Sequence, residues 1–575
     1  MRQLFLPFAA ILAAALLSSC GGQGSQAPTQ ECGGSEFTTE YLTPTRVVLT
    51  KGPVNGPEIL MRQYPGQVST SEPLVTVFSK GGSVLLDFGK EIQGGIQIVR
   101  SIAGSKEPAR FRLCLGESVS EALSDVREQG TTATNEHSVR DFDISVPWLG
   151  VAEYGNSGFR FARLDYLGDD DDVSIVAVRA IAKYRDIPYL GSFKCDNDRL
   201  NQIWQTGAYT VHLNMQEYLW DGIKRDRLVW IGDMHPEVMA VGTVFGDQQV
   251  VRKSLDYVRD GTPVQTWMNG ICSYSLWWII IHQHLYQWYG DLDYLKEQKD
   301  YLSALLENVI KNIDGTKEAY KDGRFIDWPS NDKPDVIHAG LQALSVRALE
   351  AGSEMAATLG DAALKEKCDD AVSRLRQYVP DNVGNSQAAA LLAIEGMLDA
   401  EEASKIILNN GPEKFTSFMG YYLLEALAKG GHYKEAMDLI STYWGRMLDL
   451  GATTFWEDFN FEDAKNAARI DEVVPEGKFD IHADGGAWCY VGLRHSFCHG
   501  WASGPTTWLS RHVLGIEPVG VGFKEVRIEP HLGDLQWAEG TFPTPYGVIK
   551  VSHKKNADGT VSSDITLPKG VKRVK

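Results

Sequence analysis

The amino-acid sequence predicts a multidomain fold in which a closed barrel of paired helices follows an N-terminal β-sandwich and precedes a small C-terminal β-sandwich. Three observations lead to this prediction. Short apolar runs separated by turn residues occupy the first and last parts of the chain, and apolar residues recur at spacings of three and four in the middle. The middle part shows no strict sequence repeat, which favours a closed barrel over a solenoid.

The composition is that of a folded, acidic protein. The chain has 575 residues, a formal charge of −19, 43% hydrophobic residues and 15 Trp. This much apolar material excludes general disorder, and the negative charge argues against nucleic acid as a partner, because phosphate binding needs a basic surface. Many aromatic residues on an acidic protein are compatible with a carbohydrate-binding surface, since apolar sugar faces stack on indole rings.

The N-terminus has the pattern of an export signal. Arg2 precedes an almost wholly apolar stretch, Leu4–Leu17, which is short for a membrane span. Cys20 follows small residues and resembles the lipidated cysteine of a bacterial lipoprotein; a plain signal peptide with an incidental cysteine is the alternative. We therefore expect residues 1–19 to be a signal peptide and residues 20–38 to be a flexible tether.

The predicted location is the outer membrane, with the protein anchored through the lipidated Cys20. In Bacteroides-type lipoproteins, surface export is associated with acidic residues just after that cysteine, and here none precedes Glu31. We therefore expect the protein on the periplasmic face of the membrane. The other cysteines form no CxxC motif or tight Cys/His cluster, so neither a metal nor a cofactor is predicted.

Three regions follow from the pattern of apolar residues. Residues 39–190 are expected to form the first β-sandwich, because runs such as Phe111–Leu115 alternate as half-buried strands do. Residues 191–515 are expected to form about eleven or twelve helices with short connections, which glycine pairs such as Gly430-Gly431 punctuate. Residues 516–575 return to short apolar runs and form the small second sandwich.

Two segments carry candidate catalytic groups. From Asp221 to Asp233, three carboxylates, two guanidiniums and an indole lie within thirteen residues, and glycines suggest a loop that opens into a helix near Asp233. From Gly451 to Phe459, two carboxylates lie in an aromatic stretch, where apolar surroundings raise a carboxyl pKa. Glycoside hydrolysis needs an acid and a second carboxylate as base or nucleophile, and the segments could supply one each. The alternatives are an exposed charged turn and a helix end.

The first segment resembles the Asp-Cys-Pro-Gln-Arg-Glu-x-Leu-Gly-Trp-x-Gly-Asp signature of the α-L-rhamnosidases of glycoside hydrolase family 78. The second is similar to that family's Gly-Ala-Thr-Thr-x-Trp-Glu-Arg-Trp. Ser496–His499 resembles its Ser-Leu-Asn-His, and Gly323–Trp328 its Gly-Asp-Trp segment. The motifs occur in family order, so the resemblance runs from about residue 45 to the C-terminus. It implies an α/α six-hairpin toroid between the two β-sandwiches.

The resemblance also implies roles for individual residues. Asp226 falls on the family's general acid, and Glu457 falls on the general base that activates water for inversion. Six further residues fall on positions that hold the sugar: Asp221, Arg225, Trp230, Asp233, Trp328 and His499. For the two tryptophans the alternative is core packing, and for the histidine it is a structural role.

The chain departs from the family pattern at several positions. The acid is usually Glu, and Asp226 reaches about 1.5 Å less far, although proton transfer needs hydrogen-bond contact. Lys224 lies where the signature has Gln, and Tyr274 and Leu276 stand where Trp and Asp are expected. A shifted sugar specificity or a lost activity would be consistent with these changes.

The function expected from this reading is an exo-acting, inverting glycoside hydrolase that releases terminal α-L-rhamnose, or a similar deoxysugar, from glycans. Its partner would be a rhamnose-containing oligosaccharide or polysaccharide. Two alternatives remain open: a helical-barrel glycosidase for a different terminal sugar, and a catalytically silent sugar-binding lipoprotein, which the shorter acid at Asp226 favours.

Overall fold

Strands, then helices, then strands follow one another in this computed structural model, which describes residues 36–125, 140–169 and 171–575. The predicted signal peptide, the lipidated Cys20 and the tether as far as residue 35 lie outside the described residues. Among the residues that are described, no helix has the length and apolar character needed to cross a membrane.

Within the described residues, nine strands and one short α-helix come before the strand Ser192–Cys195 and the barrel. They are β1 (Phe37–Leu42), β2 (Arg46–Lys51), β3 (Val54–Asn55), β4 (Thr76–Phe78), β5 (Ser83–Gly104), β6 (Ala109–Gly116), α1 (Val119–Leu123), β7 (Asp141–Val146), β8 (Gly150–Tyr166) and β9 (Val173–Arg185).

These nine strands are hydrogen-bonded in the order β3-β4-β9-β5-β8-β6-β7, with β1 added on β9 and β2 on β5. The long strand β5 pairs first with β2 and β8 and then, beyond register shifts near Asp87–Ile92 and Gly94–Ile96, with β8 and β9. Bulges bend a strand and increase its twist. The two halves of β5 therefore belong to different parts of the sheet, and apolar side chains from β4 to β9 pack in one core.

Twelve helices occupy the fully described range from Asp198 to Trp508. They are α2 (Asp198–Asn214), α3 (Met234–Phe245), α4 (Gln249–Gly261), α5 (Cys272–Tyr289), α6 (Leu292–Lys311), α7 (Pro334–Thr358), α8 (Ala362–Leu375), α9 (Ser386–Ile394), α10 (Ala400–Asn410), α11 (Gly420–Lys429), α12 (Tyr433–Asp449) and α13 (Gly504–Trp508). A strand β10 (Ser192–Cys195) precedes them, and β11 (Ile313–Asp314) and β12 (Lys317–Glu318) form a hairpin after α6.

The helices form a closed double ring. Each of α3, α5, α7, α9, α11 and α13 contacts the next, and α13 contacts α3 again. The inner helices α3 and α9 are apolar on nearly every side, whereas the outer helix α4 buries only one stripe, which includes Val251, Leu255 and Val258. This difference is the one expected between a helix enclosed by others and a helix at the surface.

The order of the helices decides where side chains can meet. Inner and outer helices alternate along the chain, so all inner helices run in the same direction. The six connections from an outer to the next inner helix therefore end at one rim of the ring. The connections from α2 to α3 (residues 215–233) and from α12 to α13 (residues 450–503) are two of them, and loops at such a rim are suited to carry functional groups.

The chain ends in two small sheets. They contain β13 (Ile516–Val519), β14 (Glu525–Ile528), β15 (Trp537–Thr544), β16 (Gly547–Lys555), β17 (Val561–Thr566) and β18 (Lys572–Val574). One sheet has the order β10-β15-β16-β17 and the other the order β13-β14-β18. Strand β10, which precedes the barrel, thus completes a sheet whose other strands follow it.

Candidate active site

The two connections defined above contact each other at the rim. Gly222 and His499 form a β-bridge between them, and the backbone N–H of Gly500 donates to the carbonyl oxygen of Asp221 over 3.0 Å. The second connection also carries Glu457, whose backbone N–H donates to a carbonyl of the same connection. The two motifs, more than 200 residues apart in sequence, therefore build one site.

His499 lies among three buried carboxyls. Its Nε2 is 3.7 Å from Asp221 Oδ2, 3.7 Å from Asp233 Oδ2 and 3.5 Å from Glu457 Oε1. Burial raises the pKa of Asp221 and Asp233 well above the ordinary range and lowers the pKa of His499 well below it. The cluster can therefore both donate hydrogen bonds to sugar hydroxyls and accept them from these groups.

Arg225 bridges the two carboxyls that the sequence assigns to catalysis. Its Nη2 donates to Glu457 Oε1, and its Nη1 is 3.1 Å from Asp226 Oδ1. The width of one guanidinium and two hydrogen bonds limits the distance between the facing oxygens to about 8 Å. The two carboxyls therefore lie in one site, on either side of a shared cation.

Glu457 is a buried carboxyl with a fixed orientation. The backbone N–H of Ser496 donates to Glu457 Oε2 over 3.2 Å, while Arg225 binds the other oxygen. Burial raises the pKa of Glu457, and the positive charge of Arg225 opposes that effect. A carboxylate whose basicity is increased and whose position is fixed is suited to remove a proton from water.

Asp226 and Arg227 adopt an unusual backbone conformation. Their φ angles are 51° and 58°, in the left-handed region that favours glycine. Asp is among the residues that enter this region most readily, whereas Arg is not. Two such residues in succession cost about 1–3 kcal/mol each, so contacts elsewhere must hold the turn in place. The turn directs the shorter acid to Arg225 Nη1.

Asp233 has a hydrogen-bond donor in Tyr274. The tyrosine hydroxyl donates to Asp233 Oδ1 over 2.8 Å, and both groups are buried. Tyr274 lies on α5, next to the rim, and a Cβ atom on Gly232 would be 2.1 Å from its ring. This close packing explains why residue 232 is glycine. It also shows that Tyr274, which differs from the family's Trp, is part of the site.

Aromatic rings continue around the carboxyl cluster. Trp230 packs edge-on against Tyr274, with ring centroids 6.2 Å apart. The series then extends ring to ring over centroid distances between 4.4 and 6.3 Å. Its further members are Phe325, Trp328, Tyr490, Trp501 and His499. Such a wall offers apolar faces beside hydrogen-bonding groups, which is what a deoxysugar requires.

All eight residues that the sequence singles out for catalysis or sugar binding thus lie in one network of contacts. Two further carboxyls of the same region, the buried Asp327 and the half-buried Asp458, were given no role on the basis of the sequence. Asp327 Oδ2 accepts hydrogen bonds from Gln387 and Thr416, each over 2.7 Å, and burial raises its pKa to about 6. Burial and the charge of Asp327 raise the pKa of Asp458 to about 7. Asp327 precedes Trp328 and Asp458 follows Glu457. Their positions next to motif residues could have indicated that they belong to the site.

A buried cluster beneath the site was also missed. The ammonium of Lys224 is 3.0 Å from Glu121 and 3.4 Å from Glu117, and 3.0 Å from His482 Nε2. The two carboxyls and His482 have the spacing of a metal site, but the ammonium lies among them and supplies the cation. Lys224 also donates to the carbonyl of His495 over 2.6 Å. No local pattern connects residues so far apart in sequence.

A closed ring of six helical hairpins with a carboxyl pair at one rim defines the class of six-hairpin glycosidase folds. The family model of the bacterial alpha-L-rhamnosidase six-hairpin glycosidase domain matches residues 188–513, and that of the bacterial alpha-L-rhamnosidase C-terminal domain matches residues 515–574. The chain belongs to this α-L-rhamnosidase family, glycoside hydrolase family 78. The predicted fold class and the family resemblance are confirmed.

Three relatives illustrate the similarity. An alpha-L-rhamnosidase of Streptomyces avermitilis is 24% identical over 547 residues, which are 88% of this chain and 49% of that protein. The structure of a glycoside hydrolase family 78 rhamnosidase of Bacillus sp. GL1 has a TM-score of 0.68 at 22% identity and covers 90% of this chain and 56% of its own. The structure of the Streptomyces avermitilis enzyme complexed with L-rhamnose has a TM-score of 0.68 at 19% identity, with 93% and 50% covered.

The chain spans about half the length of the curated relatives that it matches. Family and fold therefore rest on the comparisons, whereas the activity of this chain rests on the geometry of its own site.

Proposed function

We propose that this protein is an exo-acting, inverting glycoside hydrolase that releases terminal α-L-rhamnose, or a similar deoxysugar, from glycans. The observation that carries the proposal is the bridge that Arg225 forms between Asp226 and Glu457. A hydrolase needs such a pair of carboxyls at one glycosidic bond, one as acid and one as base. Membership of the α-L-rhamnosidase family and the bound rhamnose in the Streptomyces avermitilis structure support the choice of sugar.

In the proposed reaction, the carboxylic acid of Asp226 transfers its proton to the glycosidic oxygen as the bond from the anomeric carbon to that oxygen breaks. Glu457 takes a proton from a water molecule, whose oxygen bonds to the anomeric carbon from the opposite face. The products are the free sugar with inverted configuration and the shortened glycan. The upper limit of about 8 Å between the facing oxygens overlaps the lower part of the inverting range of roughly 6.5–9.5 Å. Because that limit alone does not exclude the shorter separation of retaining enzymes, the choice of inversion rests on the family resemblance.

The remaining groups would hold the sugar. Asp221, Asp233 and His499 supply donors and acceptors for hydroxyl groups, and the aromatic wall that starts at Trp230 supplies an apolar surface for the methyl group. Release of a terminal residue, rather than cleavage within a chain, is proposed from the family resemblance.

The direct test uses the soluble form that lacks residues 1–20. It is incubated with aryl α-L-rhamnosides and with aryl glycosides of other terminal sugars, and the first product is observed by nuclear magnetic resonance. We expect hydrolysis of the rhamnoside, with β-L-rhamnose appearing before the anomers equilibrate. Hydrolysis of another glycoside alone would favour the alternative sugar. Rhamnose binding without turnover would favour the silent sugar-binding lipoprotein.

We also propose that the protein is exported and anchored in the outer membrane, facing the periplasm, through a lipid on Cys20. The support is the sequence pattern of the first residues: an apolar stretch, small residues, then the cysteine and a polar tether. A glycosidase in that compartment would act on oligosaccharides that have already crossed the outer membrane.

A further inference from the structure

The loop from Ile223 to Arg227, which carries the proposed acid Asp226, is joined to the N-terminal β-sheet by Arg227. Its Nη1 donates to the backbone carbonyl of Asn156 over 2.8 Å, and its Nη2 is 3.4 Å from the Asn156 side-chain oxygen. Asn156 lies in β8, and Gln93 of β5 donates to the same side-chain oxygen over 2.8 Å. Two neighbouring strands therefore fix the acceptor that Arg227 reaches.

The other side of the Arg227 guanidinium faces the barrel. Its central carbon lies 4.5 Å from the centre of the Trp220 ring, at the start of the same connection. A planar guanidinium stacks favourably on an indole and can still donate at its edge. Arg227 is thus held between Trp220 on one side and Asn156 on the other.

A second contact joins the same two parts. The backbone N–H of Gly158 in β8 donates to the carbonyl of Ile223 over 3.0 Å. A Cβ atom on Gly158 would lie 2.6 Å from the Ile223 side chain, so glycine permits the approach. The loop from Ile223 to Arg227 is therefore tied to the β-sheet at both ends, and Asp226 lies within the tied segment.

We propose that Arg227 is a positioning residue for Asp226. Its contacts with Asn156 and Trp220 stabilise the left-handed turn. This turn keeps the carboxyl of Asp226, which is one methylene shorter than the usual Glu, within reach of the leaving oxygen. This inference rests on the proposed function. It makes the N-terminal β-sandwich part of the catalytic apparatus, because strand β8 supplies the fixed end of the clamp.

The physical reason is the conformation of the turn. Residues other than glycine leave the left-handed region when nothing holds them there. If the clamp is released, the backbone at Asp226 relaxes, and its carboxyl moves away from Arg225 Nη1 and from the substrate. Of Asp221, Asp233 and His499, Asp221 is bonded to the turn, since the backbone N–H of Leu228 donates to its Oδ1 over 2.9 Å. That bond does not involve the Arg227 side chain, so binding of the sugar should be largely retained.

The test compares substrates that differ in their need for an acid. Arg227→Ala should lower kcat for methyl α-L-rhamnoside by about 10–100-fold, because that leaving group needs a proton. For the dinitrophenyl glycoside, which departs without one, kcat should fall by less than about 3-fold, with KM unchanged for both. Arg227→Lys, which keeps one donor, should lie between wild type and Arg227→Ala. Arg374→Ala is the matched control, since Arg374 also donates to a loop carbonyl, that of Gly315, but lies in the last turn of the outer helix α8 and makes an exposed contact.

A double-mutant cycle separates positioning from general structural support. In an Asp226→Asn background there is no acid left to position, so adding Arg227→Ala should cost less than about 2-fold on methyl α-L-rhamnoside. Equal losses on both substrates, or losses that add fully to those of Asp226→Asn, would overturn the inference. If Asp226→Asn itself leaves methyl glycoside turnover intact, the proposed function fails first, and the two failures are thus distinguishable. Should Arg227→Ala not fold, Arg227→Lys in the same cycle gives the same decision.

Discussion

Glu457 and Arg225 form a buried ion pair, in which Arg225 Nη2 donates to Glu457 Oε1. Burial raises the pKa of Glu457, and the guanidinium lowers it. The two effects act on the same carboxyl in opposite directions, so the pair sets the pH range in which Glu457 can accept a proton from water. The pH dependence of the proposed reaction should therefore report on this contact.

The first prediction concerns the acid limb of the pH–rate profile. As the pH falls through the pKa of Glu457, the base becomes protonated, and kcat/KM should decrease. Arg225→Gln removes the charge that lowers this pKa, so the acid limb should move to higher pH by about one unit. The measurement is kcat/KM for an aryl α-L-rhamnoside against pH. Arg199→Gln, which breaks a partly exposed pair with Asp449 on the barrel exterior, should leave the limb in place.

The second prediction separates catalysis from binding. Glu457→Gln keeps the shape of the side chain but removes the base, so hydrolysis should fall by about 10²–10⁴-fold while the affinity for rhamnose changes little. Turnover measured by product release and binding measured by calorimetry provide the two readouts. Glu462→Gln is the control, because Glu462 lies on the same connection but is exposed and pairs with Lys465. Full activity of the Glu457 variant would rule out Glu457 as the base.

The third prediction concerns Tyr274, which stands where the family pattern has Trp. Tyr274→Phe removes the hydroxyl that donates to Asp233 and leaves that buried carboxyl without its donor, which also raises the pKa of Asp233 further. We expect KM for an aryl α-L-rhamnoside to rise by about 5–30-fold, as for the loss of one buried hydrogen bond, with a smaller change in kcat. Tyr257→Phe on the exposed face of α4 serves as control. An unchanged KM would separate Tyr274 from sugar recognition.

Local signals in the sequence predicted local features of the structure. The motif ending at Asp233 was expected to open into a helix, and α3 begins at Met234. The glycine pair Gly430-Gly431 was expected to separate helices, and it lies between α11 and α12. Caps, glycines and apolar spacing act over a few residues, so they can be read without knowledge of the rest of the chain.

Contacts across the chain could not be predicted in the same way. Asn156 belongs to a β-strand with no motif around it, yet it holds Arg227. Glu117 follows another strand, and it faces Lys224 beneath the site. The left-handed backbone at Asp226 also has no signature, because Asp occurs in every part of the chain. These features depend on how the sheet and the barrel pack, and that information is spread over the whole sequence.

The fourth prediction tests the proposed membrane anchor. Cys20→Ala removes the thiol that would carry the lipid, so the exported protein should appear in the soluble periplasmic fraction instead of the membrane fraction. Fractionation of cells that express either form, followed by immunoblotting, makes the comparison, and hydrolytic activity per molecule should be the same for both. Cys32→Ala changes a nearby cysteine of the same segment and should stay with the membrane. Membrane retention of the Cys20 variant at unchanged yield would exclude lipidation at this residue.

The last prediction concerns the buried cation beneath the site. Lys224→Met removes the ammonium that lies between Glu117 and Glu121 and leaves the two buried carboxyls to repel each other, with Arg140 still bound to Glu121. Breaking one partner of a buried pair costs about 3–5 kcal/mol of unfolding free energy. Lys405→Met is the control, because it breaks an exposed pair with Glu401 and should change the unfolding free energy by less than about 1 kcal/mol.

The decrease in unfolding free energy that Lys224→Met causes should depend on pH. Burial already raises the pKa of Glu117 to about 7, and Lys224 opposes this rise, so the variant raises that pKa further. A carboxyl whose pKa is higher in the folded than in the unfolded state binds a proton on folding. Its stabilising contribution is therefore present at low pH and is lost as the pH rises through the folded-state pKa. Denaturant unfolding should thus show that the variant's unfolding free energy lies less far below that of the wild type near about pH 5 than near about pH 8. A deficit that is equal at both pH values would mean that Glu117 does not take up the proton when its cation is removed.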